Sequence, residues 1–178
     1  MLIYQYINMI KTKTIKILLI FLLVLPCFFV LTGCKKEETS EALFITSGEL
    51  YSDNENEGII IDGMVYFASL GIDRSRIKEY GFLYSFDCPE KMLIGDKGVT
   101  QINCDISNLN HLSIIINVNE ACYNKDLSFR IYIKYHEINS EEEKVLYSES
   151  YGACNLYELA KNDPSDFAKR VVTSVENK

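Results

Sequence analysis

Residues 127–136 alternate between two kinds of side chain with a period of two, which is the pattern of a β-strand that has one buried face. One face carries Leu127, Phe129, Ile131, Ile133 and Tyr135. The other face carries Ser128, Arg130, Tyr132, Lys134 and His136. The spacing therefore predicts that the first set packs into a core and that the second set faces water.

Five further runs are dense in Ile, Val, Tyr and Phe and have the lengths of strands. They cover residues 43–51, 59–70, 77–86, 113–118 and 144–151. Turn-forming stretches separate these runs, and no helical period lies between them. The run 59–70 is apolar on both faces, which is typical of a strand that is covered on both sides. A chain of this kind is predicted to be mainly β, as a sandwich or a barrel.

The C-terminal segment changes character. Asn155 has Glu158 three residues later, and Asp163 and Pro164 precede Asp166, so each group resembles a helix start. Two short helices are expected within residues 155–178. In the second, the apolar stripe of Phe167, Val171 and Val175 is expected to dock on the sandwich.

The N-terminal segment contains a 15-residue apolar run, 17–31, which is shorter than the roughly 20 residues that a transmembrane helix needs. Three lysines precede the run, and it ends in the sequence Leu31-Thr32-Gly33-Cys34. This combination resembles a bacterial lipoprotein signal peptide with its lipobox. The resemblance implies cleavage before Cys34, lipidation of the Cys34 thiol, and a protein anchored by lipid to the extracytoplasmic face of the cell membrane.

Four regions follow from this interpretation. Residues 1–33 are a signal peptide that is removed, and residues 34–41 are the lipidated N-terminus with a short tether. Residues 42–154 form the β-sandwich, and residues 155–178 form the helical tail. Residues 1–10 add no charge ahead of the lysines, so a signal peptide that starts at Met9 is as complete as one that starts at Met1. Translation is therefore expected to begin at Met1 or at Met9.

Charge narrows the choice of partners. The whole chain carries 18 basic and 25 acidic side chains. Residues 1–33 hold three of the basic side chains and none of the acidic ones. Residues 34–178 therefore carry 15 basic and 25 acidic side chains, a net charge of −10. Nucleic acids and anionic lipids repel such a surface. We therefore expect no nucleic acid as a partner, and membrane attachment through the lipid on Cys34 alone.

Three short motifs support a more specific fold. Residues 79–85 read Glu-Tyr-Gly-Phe-Leu-Tyr-Ser, residues 129–132 read Phe-Arg-Ile-Tyr, and residues 145–149 read Val-Leu-Tyr-Ser-Glu. In this order they resemble the fibronectin type III-like modules of bacterial surface proteins, which are immunoglobulin-like sandwiches. The chain departs from that family in having no tryptophan and in having Leu127 and Ser128 where a tyrosine is common. The resemblance implies an architecture and leaves the chemistry open.

Four cysteines remain in the folded body, namely Cys88, Cys104, Cys122 and Cys154. Four cysteines allow three pairings, and an exported location permits disulfides. On the sandwich model the strands 127–136 and 144–151 form a hairpin, so the pairs Cys122–Cys154 and Cys88–Cys104 are expected. Free buried thiols are the alternative. A metal site is the least favoured option, because the cysteine spacing does not match that of zinc ligands.

No motif indicates catalysis. Residues 53–58 resemble the start of a calcium loop, but Met64 stands where the bidentate carboxylate is required. The body has two histidines, His111 and His136, and no nucleophile motif such as G-x-S-x-G. We therefore expect no enzyme activity, no cofactor and no metal.

The remaining candidate is a surface for recognition. Arg130, Tyr132 and Lys134 lie on the predicted wet face of one strand, and arginine and tyrosine are favoured where partners dock. Tyrosines that merely cover a sheet are the plainer interpretation. The function expected is a non-catalytic binding, adhesion or structural module of the cell envelope, with an envelope protein or glycan as partner. The alternatives are an accessory lipoprotein that captures a small solute and a small envelope hydrolase.

Overall fold

The computed structural model describes residues 37–53, 55–87, 89, 91–105 and 110–178. Within these residues the chain is mainly β, with two sheets and a few short helices, as predicted. The expectations for residues 1–33, Cys34 and Cys88 lie outside the described residues.

The larger sheet has six strands. They are β1 (Glu38–Ser40), β4 (Ile77–Ser85), β5 (Thr100–Asn103), β7 (Asp126–His136), β8 (Glu143–Ser148) and β9 (Gly152–Asn155). Their order is β1-β8-β7-β4-β5, and β9 pairs with the first half of β7 beyond the end of β8. Strand β1 runs parallel to β8, and the other pairs are antiparallel.

The smaller sheet has three antiparallel strands. They are β2 (Leu43–Ser52), β3 (Glu57–Val65) and β6 (His111–Asn117), in the order β2-β3-β6. A register shift in β2 between Ile45 and Ser47 marks a β-bulge. Such bulges bend a strand and increase its twist.

The main core lies where the two sheets face each other. Leu127, Phe129, Ile131 and Ile133 are all at most 2% exposed, so the predicted inner face of β7 is confirmed. The opposite sheet contributes a matching set of inward residues, namely Ile59, Ile61, Leu112, Ile114 and Ile116. The alternation read from the sequence is therefore correct for the side of β7 that forms the core.

Four short helical segments complete the chain. They are α1 (Phe67–Leu70), a 3-10 turn (Arg74–Arg76), α2 (Leu156–Ala160) and α3 (Asp166–Glu176). Asn155 caps α2, as predicted, by accepting a hydrogen bond from the Glu158 amide at 3.2 Å. Ser165 caps α3 by accepting from the Ala168 amide at 3.1 Å.

Helix α3 docks on the sandwich as its apolar stripe predicts. Phe167 and Val171 are at most 1% exposed, and Val175 packs against the same core. Tyr123, which precedes β7, meets the Phe167 ring edge-on at 6.1 Å between centroids. The helix therefore extends the main core beyond the strands.

The strand predictions were wrong in two places. The run 59–70 was expected to be one strand, but β3 ends at Val65 and α1 follows, closed by Gly71 with a φ of +66°. Strands β1, β5 and β9 were not predicted. They have three or four residues each, too few to show a period.

Candidate functional site

The connection between β4 and β5 lies against the outer face of the larger sheet, and we call its described residues, 86, 87, 89 and 91–99, the strap. Met92 at its centre is 0% exposed and packs with Leu83, Tyr132 and Tyr147 of the sheet. Other apolar residues of the strap join this second cluster from its edges, namely Leu93, Ile94 and Val99. The Ile94 amide also donates to the Tyr147 hydroxyl at 3.3 Å. Around Leu83 and Tyr132, both faces of the central strands β4 and β7 are therefore buried.

The recognition surface predicted on β7 does not exist as an exposed patch. Arg130 is 1% exposed and Tyr132 is 0% exposed, while Lys134 is half-buried. The prediction was wrong because the alternation of β7 cannot reveal a loop that returns across its polar face. The sequence signal that was missed is the apolar run 92–94 inside an otherwise turn-rich stretch.

Arg130 is the one buried charged residue among the described residues. Its Nε donates to the Ser148 carbonyl at 2.8 Å, and its Nη1 donates to the Met92 carbonyl at 3.3 Å. Its Cζ lies 4.7 Å from the ring centroid of Tyr147 and 4.6 Å from that of Tyr151. Cation–π contacts of this kind strengthen when the cation is desolvated.

The carboxylate that balances this charge belongs to Glu37, whose Oε1 forms an ion pair with Nη2 of Arg130. The Glu37 side chain is only 21% exposed. A buried charge without a partner is strongly destabilising, so the N-terminal segment completes the fold at this point. We call Glu37, Arg130, Tyr147 and Tyr151 the Arg130 clamp.

The clamp changes the description of the expected tether. Residues 34–41 were expected to be a tether, but Glu37 is held by the clamp and residues 38–40 form β1 on the edge of the larger sheet. Ala42, which follows, is 7% exposed. Residues 37–40, which were assigned to the tether, are therefore part of the folded body.

A second polar group lies beside the strap. The Tyr132 hydroxyl is 2.7 Å from Oε1 of Glu79 and 2.6 Å from Oδ1 of Asn103, and Nε2 of Gln101 donates to it at 2.9 Å. Lys134 approaches the same Glu79 carboxylate at 3.3 Å. Burial, and then the hydrogen bond to Glu79, raise the pKa of Tyr132 well above its ordinary value. The hydroxyl therefore stays neutral.

These polar groups satisfy one another. Among the described residues, no buried side-chain nitrogen or oxygen lacks a hydrogen-bond partner. The contacts of the group around Tyr132 join β5 to β4 and β7.

The acidic loop between β2 and β3 uses its carboxylates within the chain. Asp53 accepts hydrogen bonds from the Tyr51 hydroxyl at 2.6 Å and from the amides of Glu55 and Asn56 at 2.8 and 2.6 Å. Glu57 pairs with Arg170 of α3. Within the described residues, no group of three or more His, Cys, Asp or Glu side chains is placed to hold a metal ion.

Asp53 provides a test by pH. The hydrogen bonds that Asp53 accepts lower its pKa from 3.8 to about 2, and the one from Tyr51 has the largest effect. A carboxyl group with a lowered folded-state pKa stabilises the fold above its unfolded pKa and loses that contribution as the pH falls through the folded value. We expect Asp53→Asn to flatten the loss of stability between pH 3.8 and about 2, as measured by thermal unfolding across that window. Glu55→Gln on the same loop is the control, and identical profiles for both variants would contradict the role of Asp53.

The cysteines are not paired as expected. Cys104, Cys122 and Cys154 are free thiols in the structure, so the Cys122–Cys154 bridge is not formed. Strand β9 places Cys154 opposite Leu127, and its Sγ lies 3.6 Å from where a Cβ on Gly48 would stand. The thiol is thus directed into the space between the sheets, and Cys122 lies in the turn before β7. The expected partner of Cys104, Cys88, is outside the described residues.

Alkylation distinguishes free thiols from bridges. Burial raises the pKa of both Cys104 and Cys154 to about 11, so little thiolate is present at neutral pH. We expect both to react slowly with iodoacetamide in the native protein and rapidly in denaturant, as followed by mass spectrometry. A disulfide-linked peptide that joins Cys122 to Cys154 would contradict the free-thiol arrangement.

One arrangement of serine, aspartate and histidine lies on the exposed face of the smaller sheet. Ser47 Oγ donates to Asp62 at 3.2 Å, and Nε2 of His111 lies 3.7 Å from the other oxygen of the same carboxylate. The aspartate stands between the other two, whereas a hydrolytic triad needs the histidine between the serine and the acid. The group is therefore a cross-strand polar contact.

The described residues include no helix that is long and apolar enough to cross a bilayer. Comparison of the chain with protein-family models, with curated proteins and with solved structures finds no match in any of the three.

Proposed function

We propose that the chain is a lipoprotein of the bacterial cell envelope, anchored through Cys34 on the extracytoplasmic side, whose sandwich acts as a non-catalytic binding, adhesion or structural module. The observation that carries the proposal is the lipobox-like sequence ending at Cys34, and Glu37, three residues later, is already part of the folded body. The Arg130 clamp holds Glu37, which is three residues from Cys34 in the sequence, to the folded body. The domain would thus be held at the membrane surface and not on a long leash.

We further propose that the sandwich is fibronectin type III-like. A three-stranded sheet faces a larger one, and the chain changes sheets between β3 and β4, between β5 and β6, and between β6 and β7. This is the Greek-key manner of immunoglobulin-like sandwiches. Two of the three motifs behind the resemblance also pair directly, since Gly81 lies opposite Tyr132 and Leu83 lies opposite Arg130.

A non-catalytic role is supported by how the polar side chains are used. The Arg130 clamp, the group around Tyr132 and the loop at Asp53 each consist of side chains that bind one another or the backbone. A catalytic site needs a nucleophile and a base that face a substrate. The three clusters instead contribute to holding the domain together.

Metabolic labelling tests the anchor. We expect the full chain, expressed in a bacterium that processes lipoproteins, to incorporate an alkynyl fatty acid and to fractionate with membranes. Cys34→Ala should lose the label, whereas Cys27→Ala, which alters the other cysteine of the N-terminal segment, should keep it. A label that survives in Cys34→Ala contradicts lipidation at this position.

Affinity capture tests the module. The lipidated protein, solubilised in mild detergent, is incubated with envelope extract beside the Gly81→Ala variant, which we expect to be misfolded. A protein or glycan that binds the wild type reproducibly and the variant not at all supports a binding module. Finding no such partner opposes that part of the proposal.

A further inference from the structure

Strand β6 forms one edge of the smaller sheet and pairs with another strand on one side only. Its partner on that side is β3, and the register runs from Asn117 opposite Gly58 to His111 opposite Met64 without a shift. None of the described residues pairs with its other side, and residues 106–109, which precede the strand, are outside them. A strand with one open side offers a row of backbone donors and acceptors to another chain.

The backbone hydrogen bonds at the two ends of β6 show which of its residues face the open side. The Val118 amide donates to the Glu57 carbonyl at 3.2 Å, and the Val65 amide donates to the Asn110 carbonyl at 3.1 Å. Successive residues of an antiparallel strand direct their N–H and C=O groups alternately toward the partner strand and away from it. The even-numbered residues of β6 therefore bond to β3. The odd-numbered residues direct their backbone groups to the open side, and we call them the edge residues: His111, Ser113, Ile115 and Asn117.

The other edge strands have features that discourage pairing with another chain. Strands β1, β5 and β9 have only three or four residues each. Strand β2 has a bulge between Ile45 and Ser47 and carries the exposed acid Glu49. Short length, bulges and charged side chains are the usual protections of an edge strand. Strand β6 lacks all of them, because it has seven residues, a continuous ladder with β3, and no proline, lysine, arginine or acidic side chain.

A second copy of the same strand fits the open side. When two β6 strands run antiparallel with Ile114 of one copy opposite Ile114 of the other, Ser113 of each copy lies opposite Ile115 of the other. His111 of each copy then lies opposite Asn117 of the other. In this register every edge residue of both copies exchanges both of its backbone hydrogen bonds with an edge residue of the other copy. No other antiparallel register of two β6 strands pairs all of the edge residues.

The side chains of the edge residues favour this pairing in an acidic protein. The chain has a net charge of −7, so two copies repel each other over much of their surfaces. In the register described, serine meets isoleucine and histidine meets asparagine, so no like charges stand opposite each other. Ile115 is one of the few exposed large apolar side chains in the described residues, at 39%. The two Ile115 side chains become diagonal neighbours across the new ladder, a separation that long side chains can bridge.

From this geometry we propose that β6 is an interaction strand and that its partner is β6 of a second copy of the chain. The two smaller sheets then join into one antiparallel sheet of six strands. The contact uses the same residues on both copies, so it closes at a dimer and leaves neither β6 edge open. The inference rests on described residues alone and does not depend on the proposed lipidation of Cys34.

Lysine substitutions at the edge test the pairing. The full chain is purified in mild detergent, and its mass is measured by sedimentation equilibrium at a solvent density that matches the detergent. We expect twice the mass of one chain for the wild type, and the mass of one chain for the double variant Ser113→Lys, Ile115→Lys. Both side chains are exposed, so the variant is expected to keep the circular dichroism spectrum of the wild type. Thr46→Lys, Ser52→Lys adds the same charge at exposed positions of β2, the opposite edge of the same sheet, and should keep the dimer.

Complementary charges test the register. The double variant Ser113→Glu, Ile115→Glu is also expected to have the mass of one chain. An equimolar mixture with the lysine variant should recover the mass of two chains, because each glutamate then stands opposite a lysine. Two folded variants that stay separate in the mixture would overturn the proposed register.

Hydrogen exchange of the wild-type protein supplies a readout that needs no variant. Read residue by residue by mass spectrometry, exchange at the amides of Ser113 and Ile115 is expected to slow at least tenfold between dilute and concentrated protein. The amides of Ile114 and Ile116 already bond to β3 and should change far less.

Three results would overturn the proposal. The first is a wild-type chain with the mass of one copy at every concentration, and the second is a dimer that the lysines at positions 113 and 115 leave intact. The third is a single chain whose Ser113 and Ile115 amides become protected only when envelope extract is added, which would replace the second copy by a strand of another protein.

Discussion

Replacing Glu37 by glutamine is expected to lower the free energy of unfolding by about 3–5 kcal/mol, because it leaves the buried charge of Arg130 without its counter-charge. Arg130 is 1% exposed, and its other polar partners are the carbonyls of Ser148 and Met92. Glutamine keeps the shape and an acceptor oxygen, so the variant removes the charge alone. Urea unfolding followed by circular dichroism measures the change.

The neighbouring residue supplies the control. Glu38 lies on the same strand but is 44% exposed, and its partner Lys144 is 3.7 Å away. Exposed pairs of this kind contribute about 0.2–1 kcal/mol. Equal stabilities for Glu37→Gln and Glu38→Gln would show that the clamp does not hold β1, and the proposed closeness of body and membrane would lose its structural support.

The Gly81→Ala variant is expected to lose about 3 kcal/mol or more, at the upper end of the cost of overpacking. A Cβ on Gly81 would stand 2.0 Å from the carbonyl oxygen of Ile102 on β5 and 3.0 Å from the Cα of Asn103. Both obstacles are backbone, so relief requires β5 to separate from β4. That separation also breaks the group around Tyr132, which depends on Gln101 and Asn103 of β5.

Gly48→Ala is the matched control, since it also adds one methyl group to a strand. The nearest atoms to a Cβ at Gly48 are side-chain atoms of Phe129 at 3.4 Å and of Cys154 at 3.6 Å, which are ordinary contact distances. We expect a change below about 1 kcal/mol, because the lower entropy of the unfolded alanine chain offsets the tighter contact. A Gly81→Ala protein as stable as Gly48→Ala would contradict the close approach of β5.

The two variants act on opposite edges of the larger sheet. Glu37 secures β1 at one edge, and Gly81 permits β5 to pair at the other. Edge strands expose unpaired backbone groups to other chains. Loss of either strand would uncover the edge of β8 or of β4, so we expect both destabilised variants to aggregate more readily than their controls.

The core side of the sandwich was predictable because a strand with one buried face has apolar residues at every second position. Leu127, Phe129 and Ile131 alternate with polar residues, and the structure buries all three. The helix starts at Asn155 and after Asp163 were equally readable, because capping depends on a few adjacent residues. Both features depend on residues that are close together in the sequence, so they can be predicted from the sequence alone.

The candidate site was not predictable in the same way. Arg130 and Tyr132 occupy alternate positions that a two-layer sheet would expose, and the polar character of Arg130 reinforced that prediction. Their burial depends on Met92, 38 residues from Arg130, and on Glu37, 93 residues before it. No pattern within a single strand encodes a contact over such separations.

By itself the sequence determined the class of fold, the short helices at its C-terminal end and the resemblance of residues 1–34 to a lipoprotein signal, because each depends on side chains that are neighbours along the chain. Only the tertiary structure decided that the polar face of β7 is covered by the strap and that residues 37–40 are part of the domain. The physical reason is that the charge of Arg130 is buried and needs a carboxylate, and the fold brings that carboxylate from Glu37.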